Sequence, residues 1–263
     1  MLKAFVNAFK IPDLRTKLVF TLLMIAVYRF GSWLPVPGVD VDLLRDAVAT
    51  GAGGGIVGII NVFAGGALTQ MAVFALGIMP YITASIILQL LTVVIPRLEQ
   101  LKKEGQAGQT KITQYTRYLT LGLGILQASA FVALARSGQL FNGQCDEFPI
   151  IPDGTGLPMW LTVSILVTTM TAGTGMVMWL GELITDRGVG NGMSVLIFTS
   201  IAARLPSEGW SIKTTHGWDM FGLVIALVLV VITAVVFIEQ SQRRIPVQYA
   251  KRMVGRRTYG GNN

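Results

Sequence analysis

GAGGGIVGIINVFAGGALTQMAVFALGIMPYITASIILQLLTVVIP, residues 51–96, is apolar nearly throughout and far too long for one membrane helix. Gly65 and Gly66 stand near its middle. As a helix, the piece before them, residues 56–64, would be about 13 Å long at ~1.5 Å per residue, well short of a bilayer core about 30 Å thick. The piece after them, residues 71–95, is long enough to cross. The stretch therefore predicts a short helix that dips partway into the membrane, a reversal at the glycines, and then a full span. Irregular backbone at membrane depth persists only where protein or water covers it. The reversal thus points to a water-filled cavity, and a cavity to transport.

The rest of the chain agrees with a membrane class. Of its 263 residues 52% are hydrophobic and 13% charged, with a net charge of +7, whereas soluble domains carry about 25% charged residues. Full spans are expected at residues 18–34, 71–95, 119–134, 160–184 and 220–238, with a short one at 193–203. The third is marginal in length, and the short one needs buried ends or a neighbouring turn to extend it. Sixteen of the 21 basic residues fall on one side of this arrangement: four in residues 1–17, five in 97–117, Arg187, and six in 243–257. By the positive-inside rule both ends of the chain are cytoplasmic. The N-terminal segment is amphipathic and basic and leads straight into an apolar span, with no cleavable signal peptide in view. Residues 137–158 read as an exterior loop rich in Gly and Pro.

Chemistry is sparse. Cys145 is the only cysteine and His216 the only histidine, both in expected exterior loops, so no cysteine cluster or intrachain disulfide forms. A metal site would need carboxylates, which are scarce inside the spans. Glu182, Asp186 and Glu239 stand at cytoplasmic span ends, unlike the mid-depth carboxylates of ion-coupled carriers. Arg29, near the outer end of the first span, is expected to snorkel to the interface. Gly188, Gly190 and Gly192 form a tight connection that lets two helices approach. They lack the Lys-Ser/Thr ending and preceding strand of a phosphate loop. Ile82 and Ile86 lie one turn apart, as do Met193 and Ile197; such pairs are ordinarily packing. Thr83, Ser85, Gln89 and Thr92 are polar positions that would face a partner helix or a wet cavity. Pro80 either kinks that helix or is accommodated by it. Basic residues interleaved with Tyr249 and Tyr259 in the tail, residues 242–261, suit a phosphate backbone or an acidic protein surface, and composition alone leaves anionic lipid and RNA equally open.

Four motifs carry a family resemblance: FALGIMPYITASIILQLL (74–91), LKKEGQAGQTKITQYTRY (101–118), WLGELITDRGVGNGMS (179–194) and QYAKRMVGRRTYGG (248–261). Together they resemble the SecY family, the channel subunits of the bacterial protein translocase. The resemblance implies an all-α polytopic membrane protein with six transmembrane segments and a re-entrant plug helix. That is one half of a ten-span clamshell whose halves are related by a pseudo-twofold axis. It implies a cytoplasmic N-terminus (1–17), a membrane domain (18–240) and a basic cytoplasmic loop (241–263). Ile56, Ile59, Ile60, Asn61, Val62, Phe63, Ala64, Gly65 and Gly66 fall at the family's plug. Ile82, Ile86, Met193 and Ile197 fall at its pore ring, with Met193 in place of the more usual isoleucine. Gln89 and Thr92 fall at its lateral gate. Lys251, Arg252, Arg256 and Arg257 fall in the loop that contacts the ribosome or the SecA motor.

The function so implied is passage of unfolded secretory chains across the bacterial plasma membrane and sideways release of membrane spans. The implied partners are SecE and SecG, the ribosome, SecA, a nascent or secretory polypeptide with its signal sequence, anionic lipids, and a C-terminal half supplying spans seven to ten. No cofactor, metal or catalytic residue is implied. The chain is then either a piece of a longer channel or one of two polypeptides. The alternative is half of a small-solute transporter with inverted repeats, which would need a polar cluster at mid-depth.

Overall fold

The computed structural model describes residues 11–39, 64–136, 158–242, 252–254 and 257–259. Among them run six helices: α1 (Pro12–Gly31), α2 (Met79–Val94), α3 (Pro96–Lys103), α4 (Gln106–Arg136), α5 (Met159–Arg187) and α6 (Gly192–Glu239). A two-stranded antiparallel hairpin, β1 (Arg252–Val254) and β2 (Arg257–Tyr259), stands in the tail, an addition to the all-helical expectation. The chain divides into two compact units, residues 1–206 and 207–263.

Helix boundaries follow local chemistry. α1 begins with Pro12 in its first turn beside Asp13 and ends with Arg29 in its last turn, charges that oppose the helix dipole. α2 opens with Pro80, whose missing N–H is harmless in a first turn, so Pro80 starts the helix and does not kink it. It stops before Pro96, and α3 leaves at a bend of 99°. Residues 97–117, expected as a loop, are largely helical: α3 carries PRLEQLKK with no buried residue, and α4 begins after Gly105 turns at φ +72°.

The second expected span needs correcting. Residues 64–78 are turns, and α2 is only 16 residues, about 24 Å at ~1.5 Å per residue. Gly65, Gly66, Met71 and Gly77 all have positive φ, which no helix accommodates. The backbone groups find partners elsewhere: Val36 N–H donates to the Met71 carbonyl at 3.0 Å and Val73 N–H to the Leu34 carbonyl at 2.9 Å. Side chains of this stretch form the core. Ala64, Leu68, Met71, Ala75 and Leu76 pack with Ala128 and Val132 of α4 and Leu166 and Met170 of α5. Phe74 and Ile78 pack with Tyr28, Val177, Leu180, Ile184 and Leu196. Gly173 of α5 permits the approach, since a Cβ there would stand 2.0 Å from the Val73 carbonyl oxygen.

α4 and α5 pack through small side chains. The buried positions Thr116, Thr120, Gly124, Ala128 and Val132 recur every fourth residue along α4, one ridge of the helix. The short span expected at residues 193–203 is the start of a longer helix, because α6 carries through the expected exterior loop and is interrupted only at Gly217, with φ +81°. His216 therefore sits in helix. Around the break, Lys213 Nζ lies 4.0 Å and 4.1 Å from the ring centroids of Trp210 and Trp218. Such aromatic and cationic groups gather at the ends of apolar helices at the membrane interface. Among the described residues three helices (α4, α5 and α6) are long and apolar enough to cross a bilayer, or four if the bent pair α2–α3 counts as one.

Candidate functional site

Ile82 and Ile86 come from α2, Met193 and Ile197 from α6, and all four line one cavity of about 470 Å³. The rest of its wall is polar: Tyr81 and Ser85 of α2, Thr113 and Arg117 of α4, Glu182, Thr185 and Asp186 of α5, and Asn191 and Ser194. Met193 is buried while Ile86 is half exposed.

The glycine-rich connection sets the position of Met193. Asn191 caps α6, its Oδ1 accepting from the N–H of Met193 at 3.0 Å and of Ser194 at 3.4 Å. Thr185 Oγ1 accepts from Gly192 N–H at 2.9 Å, and Thr21 Oγ1 from Val189 N–H at 3.2 Å. Gly192 lies against α5 so closely that a Cβ would stand 1.9 Å from the Gly181 carbonyl oxygen. This is the tight hairpin that the glycine spacing implies.

One strong ion pair edges the cavity. Arg117 Nε donates to Glu182 Oε1 at 2.8 Å and NH2 to Oε2 at 2.7 Å, the two-pronged geometry that makes such pairs strong. Reading charges only as topology signals missed it; the available cue was one cation and one carboxylate, each bordering an apolar helix stretch.

Gln89 and Thr92 border a second cavity of about 230 Å³ between α2, α3 and α4, with Lys102, Gln109 and Thr113. Thr92 is buried and returns its hydroxyl to the Gln89 carbonyl at 2.6 Å. Of the expected plug residues, Ile56, Ile59, Ile60, Asn61, Val62 and Phe63 lie outside the described residues. Ala64 is buried, and Gly65 and Gly66 form a turn with φ of +65° and +91°. Arg29 does not snorkel: it is half-buried, and its NH1 donates to the Gly65 carbonyl at 3.3 Å. A bare carbonyl of irregular backbone is a nearer partner for a guanidinium than the interface is. In the tail, Arg252 stands opposite Tyr259 and Arg257 opposite Val254 across the hairpin, while Lys251 and Arg256 lie outside the described residues. Cys145 does too. Among the described residues no three of His, Cys, Asp and Glu stand close enough to share a metal ion.

Comparison with known proteins gives a consistent picture. The family model described as SecY matches residues 72–263. The protein translocase subunit SecY of Streptomyces scabiei is 61% identical over 269 residues, covering 100% of this chain and 60% of that protein. Its counterpart from Mycobacterium bovis is 55% identical over 266 residues, covering 100% and 59%. The chain thus spans about 60% of the length of the curated relatives it matches. Among solved structures, one described as a protein conducting channel superposes with a TM-score of 0.56 at 16% identity, over 97% of this chain and 56% of that one. Sec61 in a canine ribosome–channel complex from the endoplasmic reticulum superposes with a TM-score of 0.57 at 16% identity, over 92% and 53%. At that identity the likeness shows the fold alone.

Proposed function

Because the chain belongs to the SecY family, we propose that it forms the N-terminal part of a protein-conducting channel in the bacterial plasma membrane. There it would pass unfolded secretory chains across the bilayer and release apolar spans sideways into it. The observation that carries this reading is that Ile82, Ile86, Met193 and Ile197, from helices distant in sequence, line one cavity. A ring of apolar side chains excludes water and ions when empty, yet yields to a passing chain of any sequence. No substrate-specific polar site is needed for that.

The remaining roles follow from the same reading. Residues 56–66 are the plug, Gln89 and Thr92 part of the lateral gate, and Lys251, Arg252, Arg256 and Arg257 the contact for the ribosome or SecA. SecE, SecG and the C-terminal part of the channel complete the assembly, with anionic lipid around it. Both the N-terminal segment and the basic tail are cytoplasmic by their Lys and Arg excess. The subunit itself is not an enzyme; the work comes from the ribosome or the motor.

Photocrosslinkers placed at Ile82 and Ile197 in the assembled complex test the reading. A stalled nascent chain should be captured at both positions; absence of capture at both, with control sites reacting, rules it out.

A further inference from the structure

The left-handed Gly65–Gly66 turn is gripped by two arginines from different helices. Arg29 of α1 donates to the Gly65 carbonyl at 3.3 Å. Arg204 of α6 lays its guanidinium flat on Gly66, where a Cβ would stand 2.8 Å from Cζ, Nε and NH2. Arg204 NH2 also donates to Thr69 Oγ1 at 3.4 Å, and that hydroxyl donates to the Gly66 carbonyl at 3.1 Å. Between the arginines the backbone of Ser200 meets the turn, its Cα 3.3 Å from where a Gly65 Cβ would be. Ser200 Oγ in turn shares a buried 2.7 Å hydrogen bond with Tyr28, the neighbour of Arg29. The positive φ at both positions favours glycine, and its missing Cβ leaves room for the two guanidinium groups to come close.

Turning two part-buried cations onto a backbone turn costs more desolvation than apolar contacts that would serve packing alone. What the cations add is a directional hold on backbone and hydroxyl oxygens, one from each side. We propose that Arg29 and Arg204 are positioning residues that clamp the Gly65–Gly66 turn to α1 and α6. The proposal rests on the reading of residues 56–66 as a plug.

The test uses the assembled complex in vesicles, with Cys145→Ser and Ala67→Cys, since Ala67 is fully buried beside the turn. Labelling by a membrane-impermeant maleimide reports opening of the turn. The R29Q/R204Q variant should label about tenfold faster, the opening expected when two modest hydrogen bonds are lost. R29K/R204K should recover part of the protection, because lysine keeps the charge without the planar fork. Unchanged labelling in R29Q/R204Q overturns the clamp. If that variant does not assemble, Thr69→Val removes the hydroxyl that links Arg204 to the Gly66 carbonyl and leaves both arginines in place. A smaller rise then supports the clamp, and no rise overturns it. Ion conductance of the resting complex separates the two ideas: faster labelling with unchanged conductance supports the clamp and removes the plug reading.

Discussion

Arg117 and Glu182 join α4 to α5 at the cavity edge through two parallel hydrogen bonds of 2.8 Å and 2.7 Å. Arg117 is 49% exposed and Glu182 only 19%, so the pair is worth more than a fully solvated one and less than a buried one. Glu182→Gln should lower stability by about 1 kcal/mol, measured as the unfolding midpoint of the assembled protein in detergent. The swapped pair R117E/E182R should recover part of the loss, as a double-mutant cycle reads out. Equal and additive losses would show that the two side chains act independently.

Gly192 and Gly122 make a matched contrast. A Cβ at Gly192 runs into the Gly181 carbonyl oxygen, whereas at Gly122 it meets nothing within 4 Å. Gly192→Ala should therefore cost about 3 kcal/mol by wedging α5 from α6. It should also move Met193 out of the cavity. Gly122→Ala should leave stability unchanged or raise it by about 0.5–1 kcal/mol, the ordinary gain of alanine over glycine in a helix. Thermal unfolding of both variants checks the pair.

The Tyr28–Ser200 bond predicts an asymmetry. Ser200 Oγ also bonds the Leu196 carbonyl at 3.0 Å, so Tyr28→Phe leaves the serine with a partner and should cost about 1 kcal/mol. Ser200→Ala strands a buried phenol hydroxyl and should cost about 2 kcal/mol. The order of the two melting temperatures checks this; a reversed order would place the main partner of Tyr28 elsewhere.

The tail predicts a salt-dependent contact. In the assembled complex, R256E/R257E should weaken ribosome binding by about tenfold or more and flatten its dependence on salt, because fewer counterions are released from ribosomal RNA. Binding isotherms across a salt titration check it. Equal affinity and equal slope would assign the tail to lipid or to the motor instead.

Several elements were legible in residue order. Low charge and long apolar runs gave the membrane class, because a bilayer core tolerates few ionised groups. Gly65 and Gly66 marked a reversal, since both take the left-handed region. Gly188, Gly190 and Gly192 marked a hairpin whose helices touch. The spacing of Ile82/Ile86 and Met193/Ile197 marked no more than packing; the family resemblance singled out these four, and they line one cavity.

Tertiary structure decided the rest. Residues 71–78 read as part of a span because they are apolar, yet they are apolar to fill the protein core, and their backbone pairs with residues 34–36 in place of its own next turn. Apolar sequence reports exclusion from water without saying whether lipid or protein excludes it. Likewise, Arg29 and Arg117 read as an interfacial anchor and a topology signal until their partners Gly65 and Glu182 came within reach from distant parts of the chain. A charge in an apolar setting announces its cost locally, but the group that offsets it is chosen by how the helices pack.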